Sequence, residues 1–435
     1  MNFYFFVNKK VESMQLKRIK SFINLEQNRA IIQLITGASL AQVITIVVSP
    51  ISTRLYEPEE LGVYTLLLTI ISLFGPIICG KYELSIVSAK DENEAMEIVA
   101  GSIIISFILT ILITIGYNLY LLNMPSIRND VGLFAYVVIL LLFINALINI
   151  LTSYNNRHKE YKTISNVYVI RNIVQNLGLV VFGIMKFGTV GLLLAQLLGS
   201  IFGLKKQSSK FLENLGSLKK VSFSGVKEVL IKYKNQLIYS MPAHFISNLS
   251  YSILNFFITG LFGLSVFGYY SMAYRMLGLP LSLISMNISK VFFKRATDEN
   301  MLTGNFHKTL KQTALILLII SIPMVLILTL FGPYLFDFVF GDGWGTAGEY
   351  VRILAPMYGI RLVVAALTPA LIVSGEQKLE MKIQVLFLLS SVLAYFICKM
   401  FKFDIELFLY IISITYSIIY IIFFVIIYNL SKRPR

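Results

Sequence analysis

Long apolar runs alternate with short polar segments along almost the whole chain. A membrane-crossing helix needs roughly 20 apolar residues, and about twelve runs approach that length. The first six lie at residues 31–53, 62–80, 98–118, 131–152, 164–185 and 188–204. Six more lie at residues 235–262, 266–293, 312–336, 350–374, 382–399 and 404–429. This pattern predicts an all-α integral membrane protein with about 12 transmembrane helices.

The connections between the runs carry most of the basic residues, and they carry them mainly on one side. Lys and Arg cluster before the first run and between the sixth and seventh runs, whereas the alternate connections hold few. Since cytoplasmic connections are enriched in Lys and Arg, we predict that both termini are cytoplasmic. The predicted organisation is a basic amphipathic segment (1–30), a six-helix bundle (31–204), a basic cytoplasmic linker (205–234), a second six-helix bundle (235–429) and a tail (430–435).

Composition supports a membrane protein over a nucleic-acid-binding one. Of the 435 residues, 56% are hydrophobic and 14% are charged, against roughly 25% charged in globular proteins. The net charge of +15 would suit a phosphate backbone. However, the basic residues are dispersed between apolar runs, so no nucleic-acid partner is predicted. Cys79 and Cys398 both lie in apolar runs, which favours buried thiols over a disulfide.

The two halves of the chain repeat at an offset of 206 residues. The segment LYEPEELGVY at 55–64 aligns with LFGLSVFGYY at 261–270, and Gly62 falls on Gly268. Chance similarity between apolar segments is the alternative. Two repeats of six helices start on the same side of the membrane. They therefore predict two bundles related by a pseudo-two-fold axis along the membrane normal.

Four arginines fall inside predicted spans, and no carboxylate lies in mid-span. Charged groups at membrane depth are costly and usually face a cavity or a partner. The planar guanidinium binds phosphate oxygens through two parallel hydrogen bonds. A pyrophosphate-binding role is therefore predicted for Arg171, Arg275, Arg352 and Arg361. The alternative is that an arginine reaches an interface or binds free backbone carbonyls, and Arg352, close to a predicted helix end, fits it best.

Other polar residues in the spans allow two interpretations. Prolines there permit kinks, but proline is also generally frequent in membrane helices. Amide side chains either bind sugar hydroxyls or link helices to each other, as considered for Asn145, Asn149, Gln175, Asn176, Gln196, Asn248 and Asn255.

No catalytic pattern is evident. The three histidines are far apart, and neither a nucleophile elbow nor a phosphate-binding loop occurs. Histidine and cysteine spacing indicates no metal site. We therefore expect neither an enzyme nor a bound cofactor.

A family resemblance is carried by several short segments. They are RLYEPEELGVY at 54–64, KYELSI at 81–86, LFGP at 330–333, GDGW at 341–344, RILAP at 352–356 and SGEQK at 374–378. Together they resemble Wzx-type polysaccharide repeat-unit flippases of the multidrug, oligosaccharidyl-lipid and polysaccharide exporter superfamily. The resemblance spans most of the chain, and the motifs identify the superfamily branch better than the substrate.

The resemblance implies a twelve-helix transporter of the bacterial inner membrane. Such a protein moves an undecaprenyl-pyrophosphate-linked oligosaccharide from the cytoplasmic to the outer leaflet, for O-antigen, capsule or a related polysaccharide. Family members are thought to alternate access around a cationic cavity, a role carried over here only to the four arginines. Implied partners are membrane lipids and the polymerase and chain-length regulator of the pathway. Coupling to a proton or sodium gradient stays open, because no mid-span acid is present.

Two rival functions are considered. A multidrug exporter of the same superfamily would be expected to have intramembrane carboxylates that bind cations, and here arginines take their place. An O-antigen polymerase would be expected to have a large external loop, whereas the longest loop is basic and predicted cytoplasmic. A structural scaffold has no reason to bear the cost of buried arginines.

Overall fold

The computed structural model describes residues 26–123, 125, 128, 131–214, 216 and 221–432. Helices and turns account for the secondary structure of these residues, and they include no strand. Most of the predicted amphipathic segment 1–30 and the last three residues of the predicted tail lie outside the described part of the chain.

The N-terminal half, defined here as residues 26–214, contains six long helices. They are α1 (Glu26–Leu55), α2 (Pro58–Phe74), α3 (Glu92–Leu122), α4 (Val137–Arg157), α5 (Tyr161–Ile184) and α6 (Gly188–Ile201). Helix α5 packs against α1 and α6, while α3 packs against α4. The apolar runs therefore pack side by side, as expected for a bundle.

The longest helix in the described part of the basic linker is amphipathic, and the C-terminal half (residues 241–432) follows the linker. The remaining helices of ten or more residues are α7 (Phe223–Lys232), α8 (Met241–Pro280), α9 (Met286–Thr303), α10 (His307–Phe340), α11 (Gly345–Leu367), α12 (Gln377–Phe401) and α13 (Ile405–Leu430). Helix α11 packs against α8, α10 and α13, so it is the central helix of this half.

Helix α8 is two membrane spans joined by a sharp break. Gly263 has φ 84° and ψ 178°, a conformation that only glycine adopts readily, and it separates residues 241–262 from residues 264–280. Ten candidate spans occur among the described residues, one of which covers Ser252–Thr303. At 1.5 Å per residue, that 52-residue segment is about 78 Å long, far more than one crossing of roughly 30 Å requires. With this segment divided and the apolar Ser39–Leu55 of α1 included, the architecture agrees with the predicted twelve helices.

Helix ends follow local sequence signals. Helix α2 starts with Pro58 in the first turn, and Glu57 and Glu60 form a reciprocal capping box. Asp91 and Asp404 cap α3 and α13, because each carboxylate accepts a backbone N–H three residues ahead. Several helices extend beyond the predicted runs, since polar end turns of a helix are not apolar enough to be detected as part of a span.

The KYELSI segment forms a compact turn between α2 and α3. Residues Tyr82–Ile86 are a 3₁₀ helix, which follows positive φ values at Gly80 and Lys81. Arg157 Nη1 donates hydrogen bonds to the carbonyls of Ile86 and Ala89, at 3.2 and 2.7 Å. The motif therefore has a structural role in connecting α2 to α3.

The two halves meet mainly where α2 packs against α8. A Cβ atom on Gly62 would come within 2.1 Å of the Leu264 carbonyl oxygen, and one on Gly268 within 1.8 Å of the Pro58 carbonyl oxygen. The hydroxyls of Thr65 and Ser271 are 3.4 Å apart, and these residues are separated by 206 positions. A residue meets its own repeat equivalent only close to a symmetry axis. This contact therefore supports the predicted pseudo-two-fold relation.

A second contact between the halves joins the end of α1 to the connection between α10 and α11. Thr53 Oγ1 donates to the Phe340 carbonyl at 2.9 Å, and the Trp344 indole N–H donates to the Thr53 carbonyl at 3.0 Å. Arg54 Nη2 donates to the Phe338 carbonyl at 3.4 Å. The halves are thus held together at this end, which the charge pattern predicts to be external.

Candidate functional site

A cavity with two arginines lies between α1 of the N-terminal half and α8, α9 and α11 of the C-terminal half. Its volume is about 460 Å³. One face of the α8–α9 segment lines it, because single residues or adjacent pairs recur every three or four positions, as on one side of a helix. These residues are Tyr274, Arg275, Gly278, Leu281, Ser282, Ser285, Met286 and Ser289. The opposite walls are formed by Gln42, Tyr358, Arg361 and Ala365.

The helix that lines the cavity is locally distorted. Pro280 is followed by a π-helical turn at Leu281–Ser285, so the α-helical hydrogen-bond ladder is interrupted beside the cavity. Ser282 and Ser285 donate to the carbonyls of Leu279 and Leu362, at 2.9 and 2.8 Å. Their small side chains leave room in the wall, and a Cβ on Gly278 would meet nothing within 4 Å.

Arg275 and Arg361 give this cavity its charge. Neither is fully buried, and the Arg361 guanidinium carbon lies 5.3 Å from the centre of the Tyr358 ring. No carboxylate occurs among the residues that line the cavity. Arg275 is 12 residues beyond the Gly263 break, or about 18 Å along the helix, which is near the middle of a 30 Å hydrocarbon layer. The site is therefore a cationic cavity at membrane depth, suited to an anionic group.

Arg171 lies outside this cavity, on α5 of the N-terminal half, next to the C-terminal end of α6. Its Nε donates to the Phe202 carbonyl at 3.2 Å, and its Nη2 donates to Gln207 Oε1 at 2.6 Å. The helix formed by Gly188–Ile201 has just ended at this point, so the guanidinium binds a backbone carbonyl beyond the helix terminus. These contacts account for the arginine without a ligand, and its predicted pyrophosphate role stays a prediction.

Arg352 also lies outside the cavity. It is in the second turn of α11 and pairs with Glu349 at 3.4 Å, and its side chain is 53% exposed. An exposed pair at this spacing contributes little to stability. Of the four predicted arginines, the fold thus brings Arg275 and Arg361 together and leaves Arg171 and Arg352 apart from them.

Several of the amide side chains link helices. Asn149 Nδ2 donates to the Gly75 carbonyl at 2.9 Å, and Asn255 Nδ2 donates to Thr69 Oγ1 at 3.0 Å. Asn248 Nδ2 reaches the Leu73 carbonyl at 3.4 Å. The contacts of Asn248 and Asn255 cross between the two halves, so these residues fit the structural interpretation.

A polar network joins three helices of the N-terminal half, α2, α5 and α6. Gln175 Nε2 donates to the Tyr64 hydroxyl at 3.1 Å and to Gln196 Oε1 at 2.5 Å, and the Tyr64 hydroxyl donates to Gln196 at 3.0 Å. The two glutamines are joined through Tyr64 only because α2, α5 and α6 pack together, which their sequence neighbours do not indicate.

The serine-lined face of α8 and α9 was not predicted as part of the site. Its signal was present, because Ser282, Ser285 and Ser289 follow Arg275 at helical spacing. Serine is common in membrane helices, however, and sequence alone did not show which face of α8 met α11. Across the part of the chain that the structure describes, no group of three or more His, Cys, Asp or Glu side chains is placed to hold a metal ion.

Comparison with known families gives one match. The sequence model of the family described as "Polysaccharide biosynthesis protein" matches residues 51–349, more than half of the chain. No curated protein matches the sequence.

Three solved structures of similar fold are remote in sequence. An inward-facing multidrug resistance MATE family transporter of the MOP superfamily is 17% identical with a TM-score of 0.67, covering 93% of this chain and 99% of that one. The lipid II flippase MurJ in an inward closed conformation is 14% identical with a TM-score of 0.71, covering 91% and 87%. A MOP superfamily transporter from Pyrococcus furiosus is 16% identical with a TM-score of 0.62, covering 93% and 96%. At these identities the likeness shows the fold alone.

Proposed function

The chain belongs to the polysaccharide biosynthesis protein family, and from this premise we propose that it is a flippase for undecaprenyl-pyrophosphate-linked oligosaccharide repeat units. The repeat unit would enter from the cytoplasmic leaflet and leave into the outer leaflet, for O-antigen, capsule or a related envelope polysaccharide. The observation that carries the proposal is the cationic cavity of Arg275 and Arg361, whose lining contains no carboxylate.

The charge of the cavity supports a pyrophosphate head group as the anchor of the substrate. Each guanidinium can donate two parallel hydrogen bonds to phosphate oxygens. Hydrogen bonds to charged groups contribute roughly 1.5–3 kcal/mol each. The sugars would extend from this anchor toward the polar side chains at the junction of the halves, such as Gln42.

Transport requires the cavity to open alternately to each side. The contacts of Thr53 with Phe340 and Trp344 hold one end closed, and they would separate when that end opens. Both termini would be cytoplasmic and the protein would lie in the bacterial inner membrane. Coupling to a proton or sodium gradient and association with a polymerase and a chain-length regulator belong to the same proposal.

The charge of the cavity also separates this proposal from multidrug export. A lipophilic cation would be repelled by two guanidiniums in a medium of low dielectric constant. A multidrug exporter with this fold should bind such cations, and replacing either arginine should not abolish its binding of them. The substrate's charge therefore discriminates between the two functions.

Binding to the purified full chain tests the proposal. The probe is a short-chain polyprenyl pyrophosphate linked to a disaccharide, titrated calorimetrically, and its partner is the same polyprenyl disaccharide without the pyrophosphate. We expect Arg275→Ala and Arg361→Ala each to weaken binding of the pyrophosphate probe by at least about 10- to 150-fold, the range for the loss of one hydrogen bond to a charged group at roughly 1.5–3 kcal/mol. Lysine at either position should give an intermediate loss of affinity, because it keeps the positive charge but cannot donate two parallel hydrogen bonds.

Arg352→Ala is the matched control, since it removes an exposed guanidinium that lies outside the cavity. Its affinity should remain within about twofold of the parent. Equal binding of the probe by the parent and by the Arg275→Ala/Arg361→Ala double variant would refute the assignment of the site. Tight binding of ethidium that the pyrophosphate probe does not displace would favour multidrug export.

A further inference from the structure

A second cavity, made almost entirely of carbon, lies on another side of the junction between the halves. Its volume is about 620 Å³, and α2 and α3 of the N-terminal half and α8 and α12 of the C-terminal half line it. We call it the lateral groove. Its wall includes Leu112, Gly116, Tyr117, Tyr120, Phe256 and Tyr395.

The lateral groove is elongated along α8. Its lining on that helix runs from Phe245 to Gly260, which corresponds to about 22 Å along the helix axis. Apart from tyrosine hydroxyls, the side chains that line it are apolar. The groove therefore suits a hydrocarbon chain and does not suit a charged head group, which would lose its hydration there.

Aromatic contacts between the halves occur near both ends of the groove. Phe74 of α2 stacks on Phe245 of α8 with ring centres 5.7 Å apart. Tyr120 of α3 meets Phe256 of α8 edge-on at 5.9 Å. At its side the groove borders the bilayer, because Leu112 is 57% exposed on the outer surface of α3.

Three tyrosines line this otherwise apolar wall, and two of them, Tyr117 and Tyr120, have buried hydroxyls without a hydrogen-bond partner among the described residues. The Tyr117 side chain is 93% buried. A buried hydroxyl without a partner costs roughly 1–3 kcal/mol. Both residues lie within the last two turns of α3, near the membrane interface, where tyrosine commonly meets lipid head groups. The pair thus marks one end of the groove as a place for a hydrogen-bonding group.

We propose that the lateral groove binds the polyprenyl chain of the lipid-linked substrate, with the Tyr117 and Tyr120 hydroxyls contacting oxygen atoms next to the chain. The inference rests on the proposed function and adds a site for the part of the substrate that the cationic cavity does not hold. Both halves line the groove, so a bound polyprenyl chain would contact the N-terminal and the C-terminal half. In the proposed function, the movement of these halves relative to each other transports the head group.

The length of the groove favours a polyprenyl chain over an ordinary phospholipid acyl chain. One leaflet contributes about 15 Å of hydrocarbon, half of the roughly 30 Å total. The groove of about 22 Å continues past the bilayer midplane. A long polyprenyl chain can fill it, whereas an acyl chain anchored at the interface would leave part of it empty.

Photo-labelling of the full chain in nanodiscs tests the inference. The nanodiscs contain phosphatidylethanolamine and phosphatidylglycerol, and the probe is a polyprenyl pyrophosphate with a diazirine in its isoprenoid chain. Gly116→Leu should fill the groove without a clash, because a Cβ there meets nothing within 4 Å. We expect labelling of peptides covering residues 112–120 and 249–260, with about a tenfold loss in Gly116→Leu. Tyr117→Phe should lower labelling about two- to tenfold, as expected for one hydrogen bond.

Two control variants separate this inference from the proposed function. Gly216→Leu adds the same side chain outside both cavities, in open space, and should label like the parent. Gly278→Leu fills the cationic cavity instead, and it should weaken binding of the pyrophosphate disaccharide probe without removing the lateral groove.

The possible results are distinct. Labelling outside the groove, with pyrophosphate binding intact, would overturn the inference and leave the proposed function standing. Equally efficient groove labelling by a diazirine-bearing phosphatidylethanolamine, without competition from the polyprenyl pyrophosphate, would assign the groove to bulk lipid and also overturn it. A parent protein that neither labels nor binds pyrophosphate would refute both proposals.

Discussion

Replacing Gly268 with alanine should push α8 of the C-terminal half away from α2 of the N-terminal half at the contact between Gly268 and Pro58. The added Cβ would lie 1.8 Å from the Pro58 carbonyl oxygen, whereas ordinary contact begins at about 3.4 Å. Both atoms belong to helix backbones or are fixed to them, so no flexible side chain can turn aside. Helices α2 and α8 must therefore move apart by about 1.6 Å, and the contact between Thr65 and Ser271 is lost with them.

The size of the effect follows from the cost of overpacking. Adding atoms to a close-packed contact costs typically 1–3 kcal/mol. The proposed transport cycle has two arrangements of the halves, and the overpacking cost destabilises only the arrangement in which α2 and α8 touch. The ratio of the separated to the touching arrangement should therefore rise about 5- to 150-fold. The variant should then show a reduced melting temperature or a changed distance between the halves.

Distances between spin labels measure the shift directly. Cysteines replacing Leu122 on α3 and Phe338 on α10 would carry the labels, since both side chains are more than half exposed. Double electron–electron resonance should show a longer distance in Gly268→Ala than in the parent labelled at the same positions. Gly116→Ala is the control, because its new Cβ meets nothing within 4 Å. An unchanged distance distribution together with an unchanged melting temperature in Gly268→Ala would refute the close approach of α2 and α8.

Three further predictions concern the contacts around the junction and the linker. Trp344→Phe removes the indole N–H that binds the Thr53 carbonyl, a loss of roughly 0.5–1.5 kcal/mol, and the same resonance measurement should show about a two- to tenfold shift toward the longer distance. The Lys232 side chain donates to Glu94, and this hydrogen bond raises the pKa of Lys232, so its contribution to holding α7 on α3 is complete below the ordinary value of 10.5 and is lost as pH rises through the raised value. Relative to the intrinsic exchange rate at the same pH, the amides of residues 223–232 should be less protected from hydrogen exchange at neutral pH in Glu94→Gln than in the parent. The Cys79 side chain is fully buried, so N-ethylmaleimide should modify it slowly until the protein unfolds, which mass spectrometry can follow.

The membrane spans could be predicted because each one is indicated by a local run of apolar residues. Each apolar run is long enough to reveal a helix whatever its neighbours do, and the alternating charges set the order of the connections. The break at Gly263 falls between two predicted spans, 235–262 and 266–293, although no proline marks it. Helix ends were less predictable, since the polar residues that extend α9 to Thr303 do not differ from loop residues in hydropathy.

The site was harder to predict because it depends on which faces meet. Arg275 and Arg361 share a cavity only because α8 packs against α11, and neither residue's sequence neighbours indicate this. Arg171 has a similar sequence setting, but the end of α6 supplies it with the Phe202 carbonyl and the nearby Gln207. The lateral groove gave no signal at all, because Gly116 and Tyr117 are ordinary residues of an apolar helix until α12 and α8 face them.

Transport by reconstituted protein tests the central claim most directly. Proteoliposomes would carry a fluorescent polyprenyl-pyrophosphate-linked oligosaccharide in both leaflets, and a membrane-impermeant quencher would measure how fast the lipid crosses. The parent should equilibrate the lipid between leaflets, Arg352→Ala should do so at a similar rate, and Arg275→Ala/Arg361→Ala should be at least tenfold slower while remaining folded. Equal rates for the double variant and the parent, or no transport by any of the three, would contradict the assignment of the cationic cavity to a lipid-linked pyrophosphate.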